Sequence, residues 1–262
     1  MADKVTVITG ASGGIGAALA RILGCDGHSL VLGARREKEL NEVASKIGSK
    51  ALPVVSDVTR LEDIERLRDA ALNKFGRIDV WVNNAGRGIV KEVADLTEDD
   101  LDAIFDVNLK SVFYSIKAVV PYFKERGVGH MINVSSFLGR VPLMPSRSAY
   151  NAAKAALNVL SANLRMNLQI THPGIHVSVV MPGVTATDFA KNALYADPET
   201  AFWSGGNIQV QSAEEVAGII ASVIENPVPE VYTVEGQAGL ANKYYSDIAA
   251  FEEVSRQRAM RK

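Results

Sequence analysis

Seven short apolar runs recur along this chain, with a longer helical pattern between most neighbouring pairs. The runs fall at residues 5–9, 29–33, 51–56, 78–83, 130–135, 176–181 and 230–234. They are apolar on both faces, as a strand must be when helices cover it from either side. Alternation of strand and helix restricts the chain to an α/β architecture: a doubly wound, seven-stranded parallel sheet in three layers, with right-handed crossovers. At 262 residues the chain is long enough for one such domain and short for two. Ligands of such sheets sit beyond the carboxyl ends of the strands, so the chemistry is sought there.

Helix starts are written locally. Thr59-Arg60-Leu61-Glu62 and Ser212-Ala213-Glu214-Glu215 fit the capping box, in which hydroxyl and carboxylate each satisfy an orphan backbone N–H. One stretch breaks the rhythm. Residues 185–211 show neither period, contain Gly205-Gly206, and carry Phe189, Tyr195, Phe202 and Trp203. A long irregular segment beside a binding face is expected to be a substrate loop. A C-terminal extension runs from about 237 to 262.

Charge and composition exclude several classes. With 28 basic and 30 acidic residues the net charge is −2, which gives no footing for a nucleic-acid or anionic-membrane surface. No apolar run is long enough to span a bilayer and no signal-peptide pattern opens the chain, so a cytoplasmic location is expected. The single Cys25 excludes an internal disulfide and a cysteine zinc site, and is expected to be a buried thiol. His28, His130, His172 and His176 have no metal-ligand spacing, and no metal is expected. Asn133-Val134-Ser135 matches a glycosylation sequon but falls in an expected buried strand.

Four motifs stand at strand ends. Thr9-Gly10-Ala11-Ser12-Gly13-Gly14-Ile15-Gly16 joins the first strand to the first helix. Glycines there allow a tight turn and let the backbone approach a pyrophosphate, which the helix N-terminus favours. Asn83-Asn84-Ala85-Gly86 ends the fourth run and Ser135-Ser136 the fifth. Tyr150 and Lys154, four residues apart, share a helix face. A tyrosine normally titrates near ~10, too high for efficient proton exchange at neutral pH, and a nearby ammonium lowers it. The pair is thus suited to give a proton to a carbonyl and take one from an alcohol.

As an ordered set, Thr9-Gly10-x-x-x-Gly14-x-Gly16, Asp57-Val58, Asn83-Asn84-Ala85-Gly86, Val107-Asn108, Ser136, Tyr150-x-x-x-Lys154 and Pro182-Gly183 resemble the short-chain dehydrogenase/reductase family, in its roughly 250-residue branch, over residues 4 to about 236. The resemblance implies a Rossmann-type sheet, NAD(H) or NADP(H), and hydride transfer between nicotinamide and a carbonyl/alcohol substrate. It implies Tyr150 as acid/base, Ser136 as the group orienting the carbonyl, Lys154 as ribose ligand that lowers the Tyr150 pKa, and Asn108 as holder of a relay water. Gly10, Ser12, Gly13, Gly14, Ile15 and Gly16 would cradle the pyrophosphate. Asp57 and Val58 would lie near the adenine, Asn83, Ala85 and Gly86 on the adenine-ribose side, and Pro182, Gly183 and Thr187 along the nicotinamide. Relatives usually place the serine thirteen residues before the tyrosine. Ser136 is fourteen before, as one extra residue in the 139–148 loop would explain, and Ser135 is the weaker candidate.

At the end of the second strand Ala34 is followed by Arg35 and Arg36, where an acidic residue would hold a free ribose 2′-hydroxyl. A guanidinium clamps phosphate instead, so NADP(H) is expected over NAD(H), with Arg35 ahead of Arg36. Val141, Leu143, Met144, Phe189, Phe202 and Trp203 are the expected substrate walls. Arg87, Arg140 and Arg147 lie near the same loops and read as solvent-facing rather than as anchors for an acidic substrate. The helical stretch 97–124, with Val112, Phe113, Ile116, Val119 and Val120, and the alanine-rich helix after Tyr150 are expected to pair copies into a homodimer or homotetramer. Two rival readings are an epimerase or dehydratase of the longer, related branch, whose glycine spacing differs, and a non-catalytic nucleotide sensor on the same fold. Asn108, Ser136, Tyr150 and Lys154 together weigh against the sensor.

Overall fold

The computed structural model describes residues 3–196 and 209–260. The elements run β1 (Val5–Thr9), α1 (Gly14–Cys25), β2 (Ser29–Ala34), α2 (Glu37–Ile47), β3 (Ala51–Val55), α3 (Leu61–Phe75), β4 (Val80–Asn83), α4 (Glu98–Phe105), α5 (Ser111–Arg126), β5 (Gly129–Val134), α6 (Ser148–Thr171), β6 (Ile175–Met181), β7 (Thr185–Ala186), β8 (Gln211–Ser212), α7 (Ala213–Glu225), β9 (Glu230–Tyr232), α8 (Gln237–Ser246) and α9 (Ile248–Met260). Seven strands form one parallel sheet in the order β3-β2-β1-β4-β5-β6-β9. The order reverses between β1 and β4, and a crevice opens there. Pro53, which has no N–H to give, sits in the edge strand β3.

Alternating strand residues feed two cores. Ile8, Leu30 and Leu32 pack with Leu19, Leu23, Leu40 and Ile220 of α1, α2 and α7. Val7, Val31 and Trp81 pack with Ile64, Leu67, Val119 and Phe123 of α3 and α5 on the other face. The strands' continuous apolar character, read from sequence, is therefore the signature of two covered faces.

Several local expectations are corrected. The Ser212–Glu215 capping box forms, but the one at Thr59 does not. The Thr59 hydroxyl and N–H both go to the Asp57 carboxylate, and α3 starts one residue later behind Arg60. Thr97 and Asp100 make an unforeseen box at the start of α4. The stretch 97–124 is not one regular helix: a π-helical turn, Asp106–Lys110, separates α4 from α5. Val112, Val119 and Val120 are buried in their own chain's core. Cys25 is exposed at the end of α1, not buried. The sequon at Asn133 does lie in a buried strand. Among the described residues, no helix is long and apolar enough to cross a membrane, and no group of histidines, cysteines and carboxylates could hold a metal ion.

One buried histidine makes the fold sensitive to acid. His130 of β5 meets Ser178 Oγ through Nε2 at 2.8 Å, while its Nδ1 has no partner. Burial, helped by repulsion from His176, pushes its pKa down to about 3 from 6.5. An unfolded chain protonates this ring below about 6.5, whereas the folded chain does so only near 3. Through that window the unfolded state holds more protons, so stability falls as pH falls. Between pH 7 and 5 this group alone costs about 2 kcal/mol. Burial lowers the His28 pKa as well, in the same sense. Urea unfolding at the two pH values should show the loss, and His130→Gln should recover about 2 kcal/mol of it. An equal loss in that variant would refute the assignment.

Candidate active site

The β1–α1 turn is built on steric need. Gly10 has φ +68°, and a Cβ there would lie 2.9 Å from the Ala85 Cα. Gly14 opens α1 at φ +51°, with Thr187 against it: a Cβ would sit 3.2 Å from Thr187 Cγ2. Asn84 ties this turn to β4, donating from Nδ2 to Thr9 O at 2.9 Å and Gly10 O at 3.3 Å, while its N–H donates to Thr9 Oγ1. The α1 N-terminus has no side-chain cap, so its first N–H groups face outward for a ligand.

From this turn a cleft of about 840 Å³ runs along the carboxyl ends of the strands. Gly10, Ser12, Gly13, Gly14 and Ile15 line one end, with Arg35, Arg36, Asp57, Val58, Ala85 and Gly86. Ser136, Tyr150 and Lys154 line the other, with Pro182 and Gly183, while Thr187 reaches back to Gly14. Two expected ligands are placed elsewhere. Gly16 lies behind the turn, where a Cβ would meet Gly10 O at 2.4 Å, so it serves the packing of α1 on the turn. Asn83 faces the sheet interior. Its residue number differs from that of Asn84 by one, and in a strand that reverses the side. Asn84, the next residue of the same motif, is the one that lines the cleft.

Asn83 has another task. Trp81 Nε1 donates to Asn83 Oδ1 at 2.9 Å, Asn83 Nδ2 to Asn133 Oδ1 at 2.8 Å, and Asn133 Nδ2 to Ser161 Oγ at 2.8 Å. This buried chain links β4 and β5 to α6, the helix that presents Tyr150 and Lys154. Gly139 lets the turn after β5 press on the same helix, since a Cβ there would be 2.7 Å from the Lys154 carbonyl carbon.

The two serines divide their work. Ser135 Oγ donates to Lys154 O at 3.3 Å and is spent on the backbone. Ser136 caps the short turn Phe137–Gly139 through the Leu138 N–H, and its hydroxyl also bonds the Tyr150 phenol. Lys154 Nζ donates to Val134 O at 2.9 Å and lies 5.7 Å from the Tyr150 ring centre. Burial pushes Tyr150 up to about 12 against the pull of the Ser136 hydrogen bond and the Arg147 charge. Burial pushes Lys154 down to about 7. The Ser136 hydroxyl and the Arg147 guanidinium both oppose the rise at Tyr150. At neutral pH Tyr150 is a neutral phenol with a proton to give.

Asn108 sits in the π-helical turn, outside the cleft wall. Its Nδ2 donates to Arg87 O at 2.8 Å and Ile104 O at 2.9 Å, and its Oδ1 accepts the Arg87 N–H at 3.3 Å. The carboxamide thus fastens the loop after β4. Arg36 Nε donates to Ser12 Oγ at 3.2 Å, leaning over the glycine turn. Arg35 turns to Asp57 at 4.0 Å.

Leu143, Met144 and Phe189 line the cleft as expected, and Phe189 packs 5.5 Å from the Tyr150 ring centre. Val141 does not line it, being buried with Phe137 and Ala241 under the C-terminal helices. Phe202 and Trp203 lie outside the described residues. The tail contributes walls no local signal announced: Gln237 and Leu240 of α8 line the cleft, and Tyr245 Oη donates to Arg140 O at 2.9 Å. Of the three arginines, Arg140 pairs with Glu230, Arg87 is half-buried, and Arg147 is buried rather than solvent-facing.

A family model for short chain dehydrogenase matches residues 4–197. The chain is 37% identical to an uncharacterised oxidoreductase of Staphylococcus saprophyticus over 71% of this chain and 76% of that one. Its fold resembles a short chain dehydrogenase/reductase from Burkholderia phymatum in complex with NAD, with TM-score 0.83 and 25% identity over 94% of each chain. It also resembles an alcohol dehydrogenase from the archaeon Thermococcus sibiricus complexed with 5-hydroxy-NADP, with TM-score 0.75 and 29% identity over 88% of this chain and 96% of that one. The chain belongs to the short-chain dehydrogenase family, and is an oxidoreductase of Rossmann-type fold.

Proposed function

We propose that the protein is an NADP(H)-dependent oxidoreductase interconverting a carbonyl and its alcohol, with Tyr150 as general acid and base. The observation that carries this reading is the convergence of Ser136, Tyr150 and Lys154 at one end of the cleft whose other end is the glycine turn. The open backbone at Gly10, Gly13 and Gly14 fits a pyrophosphate, and the residues 185–211 are read as the substrate loop of a single dinucleotide-binding domain. Bound along the cleft, the nicotinamide supplies or accepts the hydride.

The chain's own groups handle the proton. Tyr150, neutral at physiological pH, gives its phenolic proton to the carbonyl oxygen in the reductive direction and takes it back in the other. Ser136 bonds the same oxygen and favours the charge that develops on it. Lys154, poised near neutrality, stands behind the phenol and binds the ribose. Asn108 is assigned the relay site by resemblance. Its side chain is already committed to Arg87 and Ile104, so any relay water would contact its main chain. Asp57, Val58, Ala85 and Gly86 would border the adenosine, and Pro182, Gly183 and Thr187 the nicotinamide. A non-catalytic sensor has no use for a buried phenol and lysine brought together at such desolvation cost.

The preference for NADP(H) rests on Arg35 and Arg36. The bond from Arg36 to Ser12 moves the weight of the reading towards Arg36, because it holds a guanidinium beside the turn. Copies are proposed to pair through α5 and α6, where Phe113, Val159, Met166 and Ile170 are exposed.

Three outcomes are expected. Tyr150→Phe should lower kcat by roughly 10²–10⁴ with nucleotide affinity nearly kept, as stopped-flow nicotinamide absorbance and fluorescence titration would read. More than a tenth of the wild-type rate would remove Tyr150 from the reaction. Arg36→Ala should weaken NADPH about tenfold or more, the equivalent of a charge-assisted hydrogen bond of ~1.5–3 kcal/mol, with little effect on NADH. Equal wild-type dissociation constants for the two nucleotides would overturn the preference. Light scattering at micromolar concentration should give at least twice the 28.1 kDa chain mass, and a monomer would reject the pairing.

A further inference from the structure

Arg147 is the one arginine among the described residues that is buried, at 7% exposure. It is the residue just before α6, with its N–H on Met144 O and its carbonyl accepting from Asn151. A ladder contact between Lys91 and Arg147, with the Lys91 N–H on Ser146 O, holds this segment against the loop after β4. The guanidinium is thereby turned inward. Nη1 has no hydrogen-bond partner, and no carboxylate among the described residues pairs with it. Gly88 makes the room: a Cβ there would stand 3.2 Å from Arg147 Nη1 and 3.1 Å from Phe189 Cε1.

An unpaired buried charge costs several kcal/mol. Arginines elsewhere in this chain avoid that cost: Arg140 and Arg165 share Glu230, and Arg126 meets Asp79. Arg147 instead lines the cleft, next to Tyr150 and Lys154. Asp188, a cleft-lining acid, is largely exposed and pairs with Lys191. The substrate end of the cleft is thus positive, with a planar five-donor group waiting for an anion.

We infer that Arg147 is the substrate-specificity residue, and that it binds a carboxylate of a short oxo acid or the matching hydroxy acid. The inference deepens the carbonyl/alcohol reading above and rests on it. Arg147 immediately precedes α6 and Tyr150 lies in its first turn, and both line the cleft. A carboxylate held on the guanidinium leaves a carbonyl one or two carbons away to face the phenol. A carboxylate matches a single guanidinium with two parallel hydrogen bonds, and the Leu143, Met144 and Phe189 walls suit a short aliphatic body. The carboxylate is unchanged in the reaction. Its charge also works on Arg147, neutralising the cation that draws Tyr150 down.

The test compares 2-oxobutanoate and 3-oxobutanoate with their methyl esters in NADPH oxidation, for wild type, Arg147→Lys and Arg147→Met. The wild type should favour one acid over its ester at least tenfold in kcat/KM. That ratio should fall to near one in Arg147→Met, a loss of at least about tenfold, as removal of a charge partner requires, and by less in Arg147→Lys, mainly through KM. NADPH affinity and Tm report whether each variant is folded. If Arg147→Met does not fold, the Lys variant decides alone. No preference for acid over ester, or a ratio unchanged in the folded variants, overturns the inference while leaving carbonyl reduction standing. Should no compound be turned over, saturation-transfer NMR of 2-oxobutanoate and its ester decides. Acid binding that needs Arg147 upholds the carboxylate site and sinks the reductase reading, and no acid binding in the wild type sinks the site.

Discussion

The contact between the β1–α1 turn and the end of β4 is the constraint on which the rest of this structure depends. Asn84 bonds the carbonyls of Thr9 and Gly10, and Gly10 can approach Ala85 only because it has no side chain. This closes the crevice at the point where the strand order turns from one direction to the other. It also aims the uncapped N-terminus of α1 along the cleft, where its dipole and free N–H groups favour an anion. Gly16 lets the helix sit directly on that turn. The geometry is over-determined by Asn84 and by two glycines, Gly10 and Gly16, of one short motif.

The second requirement is the seating of α6. Its face carries two groups, Tyr150 and Lys154, that resist burial of charge, and a third, Arg147, that precedes it. Such groups stay in place only if the helix is held by something else. The chain Trp81–Asn83–Asn133–Ser161 does this through fully satisfied buried hydrogen bonds, and Gly139 admits the turn after β5 on the same helix. A satisfied polar network specifies one arrangement where an apolar contact would tolerate sliding. Ser135 contributes by fixing the Lys154 carbonyl, while Ser136 lines the cleft.

Much of this was legible in the sequence, for a physical reason in each case. The strands could be read because both faces are covered, which writes apolar residues at every position. Ser136, Tyr150 and Lys154 could be placed because their spacing maps onto a strand end and one helix face. The misreadings turn on contacts and orientations that residue spacing does not record, some close in the chain and some distant. Thr59 fits a cap by pattern, yet Asp57 captures its hydroxyl. Asn83 and Asn84 differ only in which way a strand residue points. The π-helical turn at Asp106–Lys110 has no compositional mark. Val141 looks like a pocket wall until α8 and α9 close over it. Arg147 looks like a loop arginine until the ladder contact with Lys91 turns it inward.

The two-residue strands β7 and β8 join Thr185–Ala186 to Gln211–Ser212 at the foot of the segment between them. Gln211 is anchored further by hydrogen bonds to Thr233. Both ends of the segment are therefore fixed to the scaffold independently of what lies between. Closing a longer loop between fixed ends costs only about 0.6 kcal/mol per doubling of its length. The clasp sets where the segment begins and ends, while Thr187 against Gly14 and Phe189 against the Tyr150 ring tie its first residues to the cleft, so a change in its length is cheap only where it leaves those two contacts in place.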